Sequence, residues 1–115
     1  MNTEGHHLIL DIWLKKNLDF KLLKNKMADS LMKSGQLILG FNEWEFYPRG
    51  ESCLFLIALS HASLHTYPEH KYITVDVYSC DDNTEWVEKF KKSFLNNLPI
   101  KKHNIKTLIR GQWQE

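Results

Sequence analysis

Along the chain the spacing of apolar residues alternates between a period of two and one of three to four. Leu and Ile dominate His7 to Trp13, the composition of a strand. From about Leu18 to Ser34, Phe20, Leu23, Met27 and Leu31 recur at three- and four-residue steps and make the stripe of an amphipathic helix. Gly35 fits as its stop. Gln36 to Phe46 returns to strand composition, with Gly40 a candidate bulge, and Pro48-Arg49-Gly50 reads as a turn. Ser52 to Leu59 is nearly all apolar, which predicts a central strand buried on both faces. Ala62 to Tyr67 reads as a short strand ended by Pro68. Tyr72 to Tyr78 alternates, with Ile73, Val75 and Val77 on one face and Thr74, Asp76 and Tyr78 on the other; parity continues the second face to Cys80. Asp82 and Glu85 are spaced like a capping box ahead of a second helix striped by Trp86, Phe90 and Phe94. Pro99 ends that helix, and Ile105 to Ile109 is a last strand.

The predicted order is β-α-β-β-β-β-α-β. Two helices cannot cover both faces of a six-strand sheet. The expected fold is therefore α+β, a two-layer sandwich with both helices on one face of a mainly antiparallel sheet. The uncovered face, where Trp44 and Phe46 would have no layer to hide them, points to a homodimer.

Composition adds bounds. The 115 residues suit one domain, and 43% hydrophobic with 25% charged residues excludes a disordered chain. A net charge of +1 gives no general field for a nucleic acid or a membrane surface, so neither is expected as a partner. The longest apolar run, Leu54 to Leu59, is far short of a membrane span, and Met1 to Gly5 is too polar for a signal peptide. Two cysteines, Cys53 and Cys80, cannot make a multi-bridge scaffold and fit a reducing compartment, the cytoplasm.

The densest polar chemistry lies in Ser60-His61-Ala62-Ser63-Leu64-His65-Thr66. Extended, this stretch puts His61, Ser63 and His65 on one face. It reads in three ways. The first is a strand with a polar face and no chemistry. The second is a zinc site, with His61 and His65 joined by His7, His70 or Cys80, although no pair has the short spacing that makes a metal motif specific; no metal is expected. The third makes Ser60 a nucleophile with a nearby histidine as base and Asp76 or Asp11 to orient it, although Ala58 and Ala62 stand where a nucleophile elbow has glycine.

The stretch Leu59-Ser60-His61-Ala62-Ser63-Leu64-His65-Thr66-Tyr67-Pro68-Glu69 resembles the processing-site motif of the prokaryotic short form of S-adenosylmethionine decarboxylase, Glu-Ser-His-x-x-x-His-Thr-Trp-Pro-Glu. Gly5-His6-His7-Leu8, Pro48-Arg49-Gly50-Glu51-Ser52, Val75-Asp76-Val77-Tyr78-Ser79-Cys80 and Arg110-Gly111 are similar to further motifs of that family, in the same order. The resemblance implies a pyruvoyl-dependent decarboxylase that supplies the aminopropyl donor for spermidine synthesis. The hydroxyl of Ser60 would attack the carbonyl of Leu59, and elimination would cut the chain into residues 1–59 (β chain) and 60–115 (α chain). Ser60 would become the pyruvoyl group, the electron sink that other decarboxylases borrow from pyridoxal phosphate, and would form a Schiff base with the substrate.

Position by position, the resemblance makes His65 the base of processing and Ser52 its assistant. Cys80 becomes the acid that reprotonates the substrate carbon, a role suited to a thiol, whose ordinary pKa near 8.5 leaves it protonated at neutral pH. Phe46 would stack on adenine and Glu69 would hold the ribose hydroxyls. Asp11 stands where the family usually has Glu. The family's Glu before the serine is Leu59 here, which removes a charge beside the site. His70-Lys71 puts a positive charge next to Glu69, where pairing would weaken a ribose ligand. The alternatives are a pyruvoyl enzyme for ornithine or arginine and a non-catalytic regulatory paralogue.

Overall fold

The computed structural model describes residues 3–58, 60–80 and 84–113. The elements are β1 (Gly5–Leu14), α1 (Phe20–Lys33), β2 (Ile38–Glu45), β3 (Glu51–Ile57), β4 (Ser60–Tyr67), β5 (Tyr72–Ser79), α2 (Glu85–Leu95) and β6 (Ile100–Arg110), with a single 3-10 turn at Pro68–His70. The six strands form one sheet in the order β2-β3-β4-β5-β1-β6, and every pairing is antiparallel. This is the expected two-layer α+β sandwich.

Alternation along the strands sorts the sheet into two faces. Leu8, Leu10 and Ile12 of β1, Phe55 and Ile57 of β3, Ala62 and Leu64 of β4, and Ile73, Val75 and Val77 of β5 are buried against the helices. Phe20, Leu23, Met27 and Leu31 of α1 meet them, as do Trp86, Phe90 and Phe94 of α2, so both helical stripes are the ones the sequence spacing predicts. The two helices touch through Ser30 and Ser93, whose hydroxyls lie 3.0 Å apart. Gly35 closes α1: its φ of +96° is left-handed, and its N–H donates to the Met32 carbonyl.

Two expectations are corrected, and a third falls on residues that are not described. The described part of the segment expected at Ser52–Leu59 is buried on one face only: Cys53, Phe55 and Ile57 are covered, whereas Leu54 and Leu56 are 46% and 55% exposed. An apolar run cannot separate a strand buried twice in one chain from one whose second face waits for another surface. The last strand runs from Ile100 to Arg110, twice the predicted span, because its apolar pattern is too weak to mark it; it is exposed along nearly all its length. The helix α2 starts from Thr84, without a side-chain cap; Asp82 of the expected capping box lies outside the described residues. The bulge foreseen at Gly40 is present as a register shift between Ile38 and Gly40.

Candidate active site

The candidate residues gather at two opposite ends of the central strands. At one end, Ser52 of β3 stands directly opposite His65 of β4. Paired residues share a face, and here it is the face away from the helices. The Ser52 hydroxyl and His65 Nδ1 are 2.6 Å apart. The register extends this row across the sheet, from Trp44 through Ser52, His65 and Thr74 to Asp11.

Beside that pair lies a cleft of about 240 Å³ that Phe46, Ser52, His65 and Glu69 line together. Each arrives for a local reason. β2 stops at Glu45, and the turn through Pro48 to Gly50 is closed by the Phe46 N–H donating to the Gly50 carbonyl at 2.7 Å. Gly50 supplies the φ of +101° the turn needs. Phe46 is left half-exposed at the cleft. Pro68 ends β4 and starts the 3-10 turn that carries Glu69 to the rim. The cleft thus offers an aromatic face, a carboxylate and a hydroxyl–imidazole pair.

At the other end, Ser60 opens β4 opposite Ser79 of β5, and exposed Cys80 follows by one residue. Ser60 faces the helix side. Its hydroxyl is shielded from solvent and has no hydrogen-bond partner among the described residues. Leaving a buried hydroxyl unpaired costs about 1–3 kcal/mol. Trp86 Nε1 donates to the neighbouring Ser79 hydroxyl at 3.2 Å. Gly5 and Arg110 pair at this end too; a Cβ on Gly5 would strike the Tyr78 hydroxyl, and the Arg110 guanidinium lies 5.0 Å from the Tyr78 ring centroid. Leu59, on the other side of the expected cut, lies outside the described residues. Ser60 and His65 are five residues apart on one strand, about 17 Å at the usual rise, and face opposite ways.

Asp11 lies outside the cleft of Phe46 and Glu69. It accepts a 2.6 Å hydrogen bond from the Tyr72 hydroxyl. Burial and that bond push the Tyr72 hydroxyl up to about 12. Asp76 contacts His7, with Nε2 and Oδ1 3.0 Å apart, while the partner of His65 is Ser52; a serine–histidine–aspartate arrangement around His65 is not formed among the described residues. His61 packs on the Tyr78 ring. Cys53 is core, as expected, and burial, with repulsion from Glu43 second, pushes its thiol up to about 12. Among the described residues no three His, Cys, Asp or Glu side chains converge as metal ligands. Nor does any ion pair among them join Lys71 to Glu69. Sequence spacing shows neither the Tyr72–Asp11 nor the His7–Asp76 contact; both form diagonally across the register of β1 on β5.

A profile of S-adenosylmethionine decarboxylase matches residues 6–111. The chain belongs to this family. The S-adenosylmethionine decarboxylase proenzyme 2 of Bacillus cereus is 34% identical over 116 residues, covering 96% of this chain and 91% of that relative. The S-adenosylmethionine decarboxylase proenzyme of Geobacillus kaustophilus is 36% identical over 83 residues, 70% of this chain and 67% of its own. The crystal structure of the adenosylmethionine decarboxylase from Aquifex aeolicus shares the fold with a TM-score of 0.82 at 24% identity, over 100% of this chain and 97% of that one. The stretches that resemble motifs of this family fall at both ends of the sheet: those around Ser52 and His65 at one, those around Gly5, Ser60, Cys80 and Arg110 at the other.

Proposed function

We propose that this chain is the proenzyme of an S-adenosylmethionine decarboxylase that cuts itself between Leu59 and Ser60. The observation that carries the reading is the Ser60 hydroxyl, buried and unpartnered, with Cys80 just beyond the residue opposite it. A hydroxyl without a hydrogen-bond acceptor is free to turn toward the preceding carbonyl. Its attack moves the chain from nitrogen to oxygen; loss of the Ser60 α-proton then expels residues 1–59, and water releases ammonia from what remains of the serine. The residues fit a pyruvoyl group here, since its formation needs only Ser60 and a base. When formed, that group supplies the carbonyl that draws electrons from the substrate's α-carbon as CO2 leaves. Cys80, exposed at the same strand end, returns a proton to that carbon. Phe46 stacks on the adenine and Glu69 accepts the ribose hydroxyls.

His65 acts as base with Ser52 beside it, yet lies about 17 Å from Ser60 in its own chain, where proton transfer needs about 3 Å. A second copy resolves this. A two-fold axis that reverses strand direction sets the His65 end of one protomer against the Ser60 end of its partner, twice. The uncovered face, with Trp44 68% exposed and Leu54 and Leu56 half-exposed, is the surface such a partner covers. We therefore take the working form as a homodimer of processed α/β pairs. The two free thiols suit the cytoplasm. The test is release of labelled CO2 from S-adenosylmethionine, ornithine and arginine. The expected result is release from S-adenosylmethionine alone and none from Ser60→Ala. Preference for ornithine or arginine would overturn the substrate, and release by Ser60→Ala would overturn the mechanism.

A further inference from the structure

A second cleft, of about 340 Å³, opens where β1 ends, β5 begins and β6 begins, and nothing in the decarboxylation uses it. Its polar wall is wholly basic: Lys15, His70, Lys71, Lys101 and Lys102, with Trp13 beside them. Four of the chain's 13 lysines are drawn together there, although the whole chain carries a net charge of only +1. Among the described residues none of these four has a carboxylate within ion-pair distance, as holds for most lysines of the chain; Lys24, Lys33 and Lys91 are the ones that do. A concave wall that carries several cations and no carboxylate attracts an anion.

Two features make the cleft a built one. Its backbone is tied together: the Leu14 N–H donates to the Lys71 carbonyl and the Lys15 N–H to the Pro99 carbonyl, each at 2.7 Å. Lys71 holds a left-handed backbone with φ +51°, a conformation that glycine adopts freely and lysine only against a steric penalty. The chain thus keeps a cation where its backbone favours glycine. Lys102 lies over the Trp13 ring at 5.6 Å, and Trp13 in turn stacks on Tyr72, which fixes that side of the wall.

We propose that this cleft binds a condensed phosphate chain, as carried by a nucleoside triphosphate or by inorganic polyphosphate. Four ammonium groups on a concave wall suit several adjacent phosphates better than a single carboxylate. The decarboxylation substrate, with its cationic sulfonium, is repelled here, so the site is separate from the cleft of Phe46 and Glu69 on the other side of the 3-10 turn.

The test is calorimetric titration of the full-length protein with sodium tripolyphosphate, ATP and AMP in about 0.1 M NaCl, where exposed charges are already well screened. Tripolyphosphate should bind saturably at one per chain and AMP far more weakly. ATP binding like tripolyphosphate assigns the site to the phosphate chain alone; ATP binding more tightly adds contacts to the nucleoside; both support the proposal. Lys71→Gly, which suits the local backbone and keeps the fold, and Lys102→Gln should each weaken tripolyphosphate about tenfold. Lys89→Gln on the exposed face of α2 should change nothing. Three results would overturn the proposal: no saturable binding, equal weakening by Lys89→Gln, or tight binding of a single-stranded oligonucleotide where tripolyphosphate fails.

Discussion

If each site is completed by two chains, a processing defect in one chain is repaired by a different defect in its partner. His65→Ala removes the base but keeps Ser60; Ser60→Ala keeps His65 but has nothing to cut. Within one chain the two positions are separated by five residues of β4, about 17 Å, and a regular strand does not bend enough to close that gap to a proton-transfer distance of about 3 Å. Each variant expressed alone should therefore remain one intact chain. Co-expressed in equal amounts, they pair at random, and about half of all dimers contain one of each. Each mixed dimer has one complete site, holding Ser60 of one protomer and His65 of its partner. About half of the chains that carry Ser60 should then be cut. The assay is denaturing electrophoresis with intact mass, after size exclusion has shown that both variants form dimers. No cutting in a dimeric mixture would show that the two chains do not share a site, as would full cutting of His65→Ala alone.

Phe90 is fully buried and stacks on Phe94 with ring centroids 5.7 Å apart. Phe90→Ala should lose about 3–5 kcal/mol in urea unfolding, whereas half-exposed Phe46→Ala should barely change stability and should raise KM. Iodoacetamide at about pH 8.5 should label Cys80 alone in the folded protein, because the buried Cys53 thiol holds its proton up to about pH 12; peptide mapping that finds Cys53 modified equally fast contradicts this. The Tyr72 hydroxyl keeps its proton to about pH 12 when folded, against an ordinary value of 10.0, so the unfolded chain releases it first. The stability this contributes is complete below about pH 10 and fades as pH rises toward 12. Tyr72→Phe should flatten that part of the alkaline decline, and identical decline in both proteins would count against the Asp11–Tyr72 bond.

The helices and the inner strands were legible because their signal is periodic. Phe20, Leu23, Met27 and Leu31, and Ile73, Val75 and Val77, each mark one buried face, and each is buried as marked. Parity extends the polar face of β5 to Cys80, which is exposed just past the end of that strand. β6 was half missed, since Lys101, Lys102, His103 and Asn104 on an exposed edge strand carry no alternation to read. The candidate residues were picked out by motifs, whereas their distribution over the sheet was not legible. Ser52 and His65 lie 13 residues apart and touch, whereas Ser60 and His65 lie five apart and are separated by most of a strand. Contact across a sheet is set by register, which depends on turns and bulges such as those at Gly50 and Gly40. The basic cleft was invisible for the same reason. Lys15, Lys71 and Lys101 come from three distant segments, and only the strand order brings them together.

The central claim, that this chain converts Ser60 into its own reactive carbonyl, is tested most directly by the intact mass of the purified protein under denaturing conditions. The expected result is two chains divided between Leu59 and Ser60, the second lighter than a serine-started fragment by one ammonia. A single uncut chain of full mass, or a second fragment that still begins with serine, would contradict it.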